Sequence, residues 1–255
     1  MKPYLFLLSL FAATFMSCSS EEYFILTGLD SANYIIAHRG DYEQNGYPEN
    51  SRASFQSALS LDIYGVEFDV RQTKDHVLVI CHDKEFDGVT ISEATYSEIE
   101  KHLLSNGETL PTLEDFLQIY KNSHSKVRLI VELKLCSVSD VVGMIEQYAL
   151  QESSEYISFN LDYCDQLVNL GYGSNVSYLD GTLTPIEVKE RGYAGIDYSV
   201  ADFTSNPEWI PEAKSLGLKV GVWTVDNTIS MLCYIDNQVI VTTNKAWMCA
   251  RNNTN

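Results

Sequence analysis

Eight short apolar runs, with stretches of helical character between them, restrict this chain's folding options more than any single residue does. The runs are 34–37, 66–70, 128–134, 156–159, 175–179, 194–198, 219–225 and 239–242. Between them, residues 51–61, 112–121, 139–149, 161–170, 185–191 and 207–216 read as helices. Strands that alternate with helices of this length are parallel neighbours, because a parallel pair needs a crossover of about a dozen residues. Eight such units predict an α/β fold, a (β/α)8 TIM barrel, with functional residues at the C-terminal ends of the strands. No low-complexity linker or second core interrupts the pattern, so residues 34–250 read as one domain.

A ninth run, 77–81, cannot be another barrel strand. Only Gln72 to His76 separate it from the second strand, too few for a crossover. It is expected to turn back as a short hairpin arm, with Asp69 opposite His82, so that the arm delivers His82 to the barrel mouth.

Several strands carry polar residues where a buried strand should be apolar. In Val66-Glu67-Phe68-Asp69-Val70, side chains alternate, so Glu67 and Asp69 share the face opposite Val66, Phe68 and Val70. The strand 127–134 repeats this, with Leu129, Val131 and Leu133 on one face and Ile130, Glu132 and Lys134 on the other. Like charges on one buried face are costly unless something positive lies between them. Oxygen-only ligands favour a hard divalent cation, Ca²⁺ or Mg²⁺, over zinc, so Glu67, Asp69 and Glu132 are candidate metal ligands. Read singly, each acid could equally be a salt-bridged rim residue; three converging on one mouth point to a cation.

His38 closes the first strand and His82 ends the arm. Two histidines beside a cation suit phosphoester cleavage, one accepting the nucleophile's proton and the other donating to the leaving oxygen. Arg39 and Lys134 would neutralise charge on the phosphoryl oxygens. His76, His102 and His124 read as ordinary hydrogen-bonded residues.

The charge balance narrows the partners. With 17 Lys and Arg against 35 Asp and Glu the formal net charge is −18. That argues against nucleic acid and against an anionic membrane surface as partners. A small phosphate-bearing substrate stays compatible, because a bound cation reverses the field locally. Beyond Cys18, the cysteines Cys81, Cys136, Cys164, Cys233 and Cys249 are odd in number and form no close pair, so neither a zinc site nor a disulfide framework is expected. Most should be small buried residues.

The N-terminus reads as an export signal over residues 1–17: Lys2, then an apolar run from Tyr4 to Met16, too short to span a bilayer. Ser17-Cys18 resembles the lipobox of bacterial lipoproteins, which implies lipidation at Cys18, a tether over 18–33 and a cell-envelope location, with the lipid anchor as the sole membrane contact. An ordinary signal peptide cut nearby is the alternative.

The motifs as a set resemble the glycerophosphodiester phosphodiesterases. They are His38-Arg39-Gly40, Pro48-Glu49-Asn50-Ser51, Gly65-Val66-Glu67-Phe68-Asp69-Val70, His82-Asp83, Leu110-Pro111-Thr112-Leu113, Glu132-Leu133-Lys134, Trp223-Thr224-Val225-Asp226 and Thr242-Thr243-Asn244. The resemblance runs over about residues 34–246, in the family's order. It implies a metal-dependent barrel hydrolase that cleaves glycerophosphodiesters to sn-glycerol 3-phosphate and an alcohol. In that reading Glu67, Asp69 and Glu132 hold the metal, His38 and His82 are the acid/base pair, and Arg39 and Lys134 contact phosphate. Glu49 and Trp223 fall in motifs near the glycerol pocket; Trp223 reads equally as barrel packing.

The stretch after His82-Asp83 departs from the family, with Asp87-Gly88-Val89-Thr90 in place of an Arg-Thr-Thr run. Asp87, Glu93, Glu98 and Glu100 either form an acidic pocket wall favouring a cationic or neutral head group, or are a solvated surface. Two alternatives stand beside the leading reading. One is a related barrel phosphodiesterase acting on another lipid head group or a glycerol phosphate polymer, and the other is a non-catalytic envelope binding protein.

Overall fold

The structure, a computed structural model, describes residues 31–248. The export segment, the lipidation candidate Cys18 and Cys249 lie outside the described residues. Eight parallel strands form the barrel: β1 (Ile35–Ala37), β2 (Gly65–Gln72), β3 (Arg128–Leu133), β4 (Ser154–Ser158), β5 (Val176–Tyr178), β6 (Gly195–Ser199), β7 (Lys219–Trp223) and β8 (Ile240–Thr243). Strand β1 pairs with both β2 and β8, which closes the ring. The expected (β/α)8 barrel is what forms. Strand boundaries fall within two residues of expectation, the usual fraying margin.

Outside the ring run α1 (Arg52–Leu59), α2 (Leu113–Ser123), α3 (Val138–Gln147), α4 (Leu161–Asn169), α5 (Pro185–Glu190), α6 (Val200–Ser205), α7 (Trp209–Ser215) and α8 (Thr228–Asp236). Two of these were not anticipated. Helix α6 is a single short segment, and α8 carries no charged residue before Asp236, so no polar stripe marks its amphipathic period.

Alternation along each strand sorts the side chains. On β2, Val66, Phe68 and Val70 face outward into the main core. There Phe55 of α1 stacks on Phe116 of α2 at 4.1 Å, and Phe68 packs edge-on to both, at 5.8 and 5.3 Å. This aromatic trio fixes the outer face of the strand whose inner face carries Glu67 and Asp69. Inside the ring, Ile36, Ile130, Ile157 and Leu179 form an apolar layer beneath the mouth. Near the strand N-termini, Glu155 accepts from Tyr64 at 2.7 Å and Lys219 at 2.8 Å and pairs with Arg128 at 2.5 Å.

The arm, Leu78–Ile80, pairs antiparallel with β2 as expected, but its register differs by one residue. Val70 faces Ile80 and Gln72 faces Leu78, and the amide of Cys81 donates to the carbonyl of Asp69 at 2.9 Å, so Cys81 rather than His82 stands opposite Asp69. The connection runs over residues 73–77, one position later than expected, with His76 in the left-handed region at φ 66°. The mirror axis therefore passes through Asp75 instead of beside it. His82 lies one residue further on, held where Arg71 donates to its carbonyl from Nε at 3.0 Å and from a terminal guanidinium nitrogen at 2.6 Å.

Cys81, Cys136 and Cys164 are buried, in line with expectation, whereas Cys233 is exposed on α8. No helix among the described residues is long and apolar enough to cross a membrane.

Candidate active site

The loop after β1 builds the first wall. Arg39 and Gly40 both adopt left-handed backbone, at φ 53° and 86°. A Cβ on Gly40 would come within 2.5 Å of the Ser54 side chain, so only glycine fits there. The turn aims the Arg39 amide at Glu67 Oε2, 2.9 Å away. It is held to the start of α1, where Ser51 and Ser54 cap the helix reciprocally and the Ser54 hydroxyl donates to the Arg39 carbonyl.

Glu67, Asp69 and Glu132 converge. Each offers an oxygen, and these oxygens all lie within 4.8 Å of one another. Asp69 and Glu132 are register partners on β2 and β3. All three are almost fully buried, at 2, 1 and 7 % exposure. Two cations face them. Lys134 Nζ lies 2.5 Å from Glu132 and 3.3 Å from Asp69, and Arg39 Nε lies 3.6 Å from Asp69.

The three acids respond differently. Burial, then repulsion from Asp69 and Glu132, pushes Glu67 well above the ordinary carboxylate range. Burial and the neighbouring Asp69 push Glu132 up to about 7. Burial also works against the Asp69 charge, but Lys134, a hydrogen bond from Asn50 at 2.8 Å and Arg39 outweigh it and hold Asp69 below its usual value. Three carboxylates against two side-chain cations leave a negative excess, and Glu67 Oε1 is buried with no hydrogen-bond partner. An all-oxygen donor set with an orphaned buried oxygen fits a hard divalent cation.

His38 stands at the same mouth. Burial holds its imidazole below the ordinary value, so the ring is neutral near pH 7. Its Nδ1 lies 2.7 Å from Asn244 Oδ1. The Asn244 amide nitrogen donates to Asp226 Oδ2 at 2.8 Å, and its backbone N–H donates to Asp226 Oδ1 at 2.8 Å. With the amide nitrogen thus committed, Oδ1 is the acceptor and His38 Nδ1 carries the proton, leaving Nε2 as the free base. His82, about a third exposed, sets its Nδ1 2.9 Å from Asp83.

Arg39, Lys134 and Trp223 line the same cleft as His38, His82, Glu67 and Glu132, a space of about 480 Å³. Glu49 grips Arg39 with both oxygens at 2.9 Å and is not among the lining residues. Trp223 meets both descriptions that the sequence left open. Its ring packs on the lumen's apolar layer and edge-on to Phe159 at 5.5 Å, and it also lines the cleft. None of Asp87, Glu93, Glu98 and Glu100 lines the cleft. All four are exposed, with Asp87 bound to His102 at 2.6 Å and Glu98 capping Thr95, so they behave as surface acids.

Sequence reasoning missed Asn50, Asp197, Asp226 and Asn244. Asn50, Asp226 and Asn244 lie inside the quoted motifs but look like routine loop polar residues. Asp197 carried a legible signal, a lone acid in a buried apolar run, of the same kind that marked Glu67.

The closed ring and the acidic mouth beside two histidines place the chain among the (β/α)8-barrel hydrolases. The chain belongs to the glycerophosphoryl diester phosphodiesterase family, whose model matches residues 38–246. It is 29% identical over 219 residues to a glycerophosphodiester phosphodiesterase of Caldanaerobacter subterraneus subsp. tengcongensis, covering 77% of this chain and 87% of the relative. It is 38% identical over 217 residues to YhdW of Bacillus subtilis, covering 76% and 86%. The crystal structure of a glycerophosphodiester phosphodiesterase from Parabacteroides distasonis superposes with a TM-score of 0.78 at 41% identity, covering 83% of this chain and 92% of that one.

Proposed function

We infer that the protein hydrolyses glycerophosphodiesters to sn-glycerol 3-phosphate and an alcohol. The observation that carries this is the burial of three carboxylates, their oxygens within 4.8 Å of one another, in the mouth that also holds His38 and His82. Glu67, Asp69 and Glu132 would hold Ca²⁺ or Mg²⁺, which would supply positive charge to a phosphoryl oxygen. Arg39 and Lys134, both kept charged by the acids beside them against the effect of burial, bind the remaining phosphoryl oxygens.

His38 Nε2 takes the proton of the attacking hydroxyl as the new P–O bond forms. His82 gives its proton to the departing alkoxide as the old P–O bond breaks, so one water is consumed overall. If the attacking hydroxyl is the substrate's own glyceryl group, a cyclic phosphate forms first and water opens it with the two histidines exchanging roles. The export and lipid-anchor reading rests on the sequence alone and would place this activity in the cell envelope.

The test is a panel of glycerophosphodiesters assayed with and without chelator, with sn-glycerol 3-phosphate as the readout. Wild type should release it only with divalent cation present, and His38→Ala should lose at least about 100-fold in kcat. Undiminished turnover by His38→Ala refutes the assignment.

A further inference from the structure

On β6, across the eight-strand ring from β2, Asp197 points into the lumen. It is 5% exposed, it lines the cleft, and its Oδ1 is buried without a hydrogen-bond partner. The neighbouring strand makes room for it: Gly221 of β7 is its register partner, and a Cβ there would come within 2.5 Å of the Asp197 carboxylate. The cleft it lines also carries the apolar side chains of Ile157, Leu179 and Trp223, and Trp223 Nε1 donates to the Asp197 carbonyl at 2.8 Å. A buried carboxyl left without a partner in such a setting is costly, and such groups mark binding positions.

Its likeness to the acids on β2 and β3 is superficial. Those face Arg39 and Lys134, whereas among the described residues no cationic side chain pairs with Asp197. Burial, with Glu132 and Glu155 as further negative neighbours, raises it to about 7, which suits a neutral hydrogen-bonding partner better than a cation.

We propose that Asp197 is the specificity group for the glyceryl part of the substrate, its carboxyl hydrogen-bonding a glyceryl hydroxyl while the phosphoryl group sits against the β1–β3 wall. This rests on the hydrolase reading above and adds to it how the glyceryl moiety is told from a plain alkyl chain. A site built to bond a hydroxyl rejects the analogue that lacks it, because its own polar group is then left unpaired.

The test uses the full chain with divalent cation present, as wild type, Asp197→Ala and Asp197→Asn. Calorimetry compares binding of sn-glycerol 3-phosphate with binding of n-propyl phosphate, and kcat/KM is measured on sn-glycero-3-phosphocholine. Asp197→Ala should weaken glycerol phosphate binding roughly 10- to 100-fold, leave propyl phosphate within about 2-fold, and lower kcat/KM in parallel. Asp197→Asn, which keeps donor and acceptor, should recover part of the loss. Equal weakening of both ligands, no weakening of either, or failure of wild type to prefer the glyceryl ligand overturns the proposal. Loss of diester hydrolysis in wild type overturns the hydrolase reading instead, and the binding comparison still decides Asp197.

Discussion

Asn244 Oδ1 stands 2.7 Å from His38 Nδ1, while the amide nitrogen of the same Asn244 is bound to Asp226 at 2.8 Å. The two contacts together dictate which imidazole nitrogen is free. Asn244→Ala or Asp226→Ala should therefore lower kcat roughly 10- to 100-fold with KM little changed, and shift the acid limb of the pH–rate profile. Equal changes in kcat and KM, with an unmoved profile, would mean that the pair merely shapes the pocket.

The acidic trio makes a second prediction. In wild type, Ca²⁺ or Mg²⁺ should raise the melting temperature, because binding adds RT ln(1 + [L]/Kd) to the stability, about 2.7 kcal/mol at a hundredfold excess over Kd. Glu67→Gln should erase the response, and titration calorimetry should show no binding. Because ligation requires ionised carboxylates, the stabilisation should also shrink as the pH falls. An unchanged cation response in Glu67→Gln places the ion elsewhere.

Asp197 titrates near neutrality, and the sign follows from its raised value. The native state holds its proton more tightly than the unfolded chain, so its contribution to stability is complete below the ordinary Asp range. It is lost as the pH climbs through about 7. Asp197→Asn mimics the protonated form, so it should match wild type in acid and melt higher at pH 8. Melting curves that stay parallel from pH 5 to about 8 would contradict the assignment.

At the other end of the lumen Glu155 serves stability. Glu155→Ala leaves Tyr64, Arg128 and Lys219 without their shared acceptor. Breaking a fully buried pair costs about 3–5 kcal/mol; with Arg128 and Lys219 partly exposed, about 2 kcal/mol is expected in chemical denaturation. Activity per folded molecule should be retained, as the fold separates a stabilising floor from a reactive mouth.

Much of this was visible in the chain itself. The period of the apolar runs sets the barrel, and Glu67, Asp69, Glu132, His38 and His82 stood out because a strand buried on both faces has no reason to carry them. What stayed hidden depends on backbone detail. The arm's register turns on the left-handed His76 in a five-residue connection, which composition does not encode. Asp226 and Asn244 act through an orientation, and side-chain orientation leaves no periodic trace. Which of the two readings fits the acids of 84–108, pocket wall or solvated surface, needed coordinates, because sequence distance from His82 is not distance from the cleft.

Ring closure has a further consequence. His38 and Asn244 lie 206 positions apart along the chain, yet are seated together because the final strand docks on the first. Until β8 docks on β1, His38 lacks the Asn244 oxygen that orients its ring. Full turnover therefore requires a closed ring as well as a complete set of site residues.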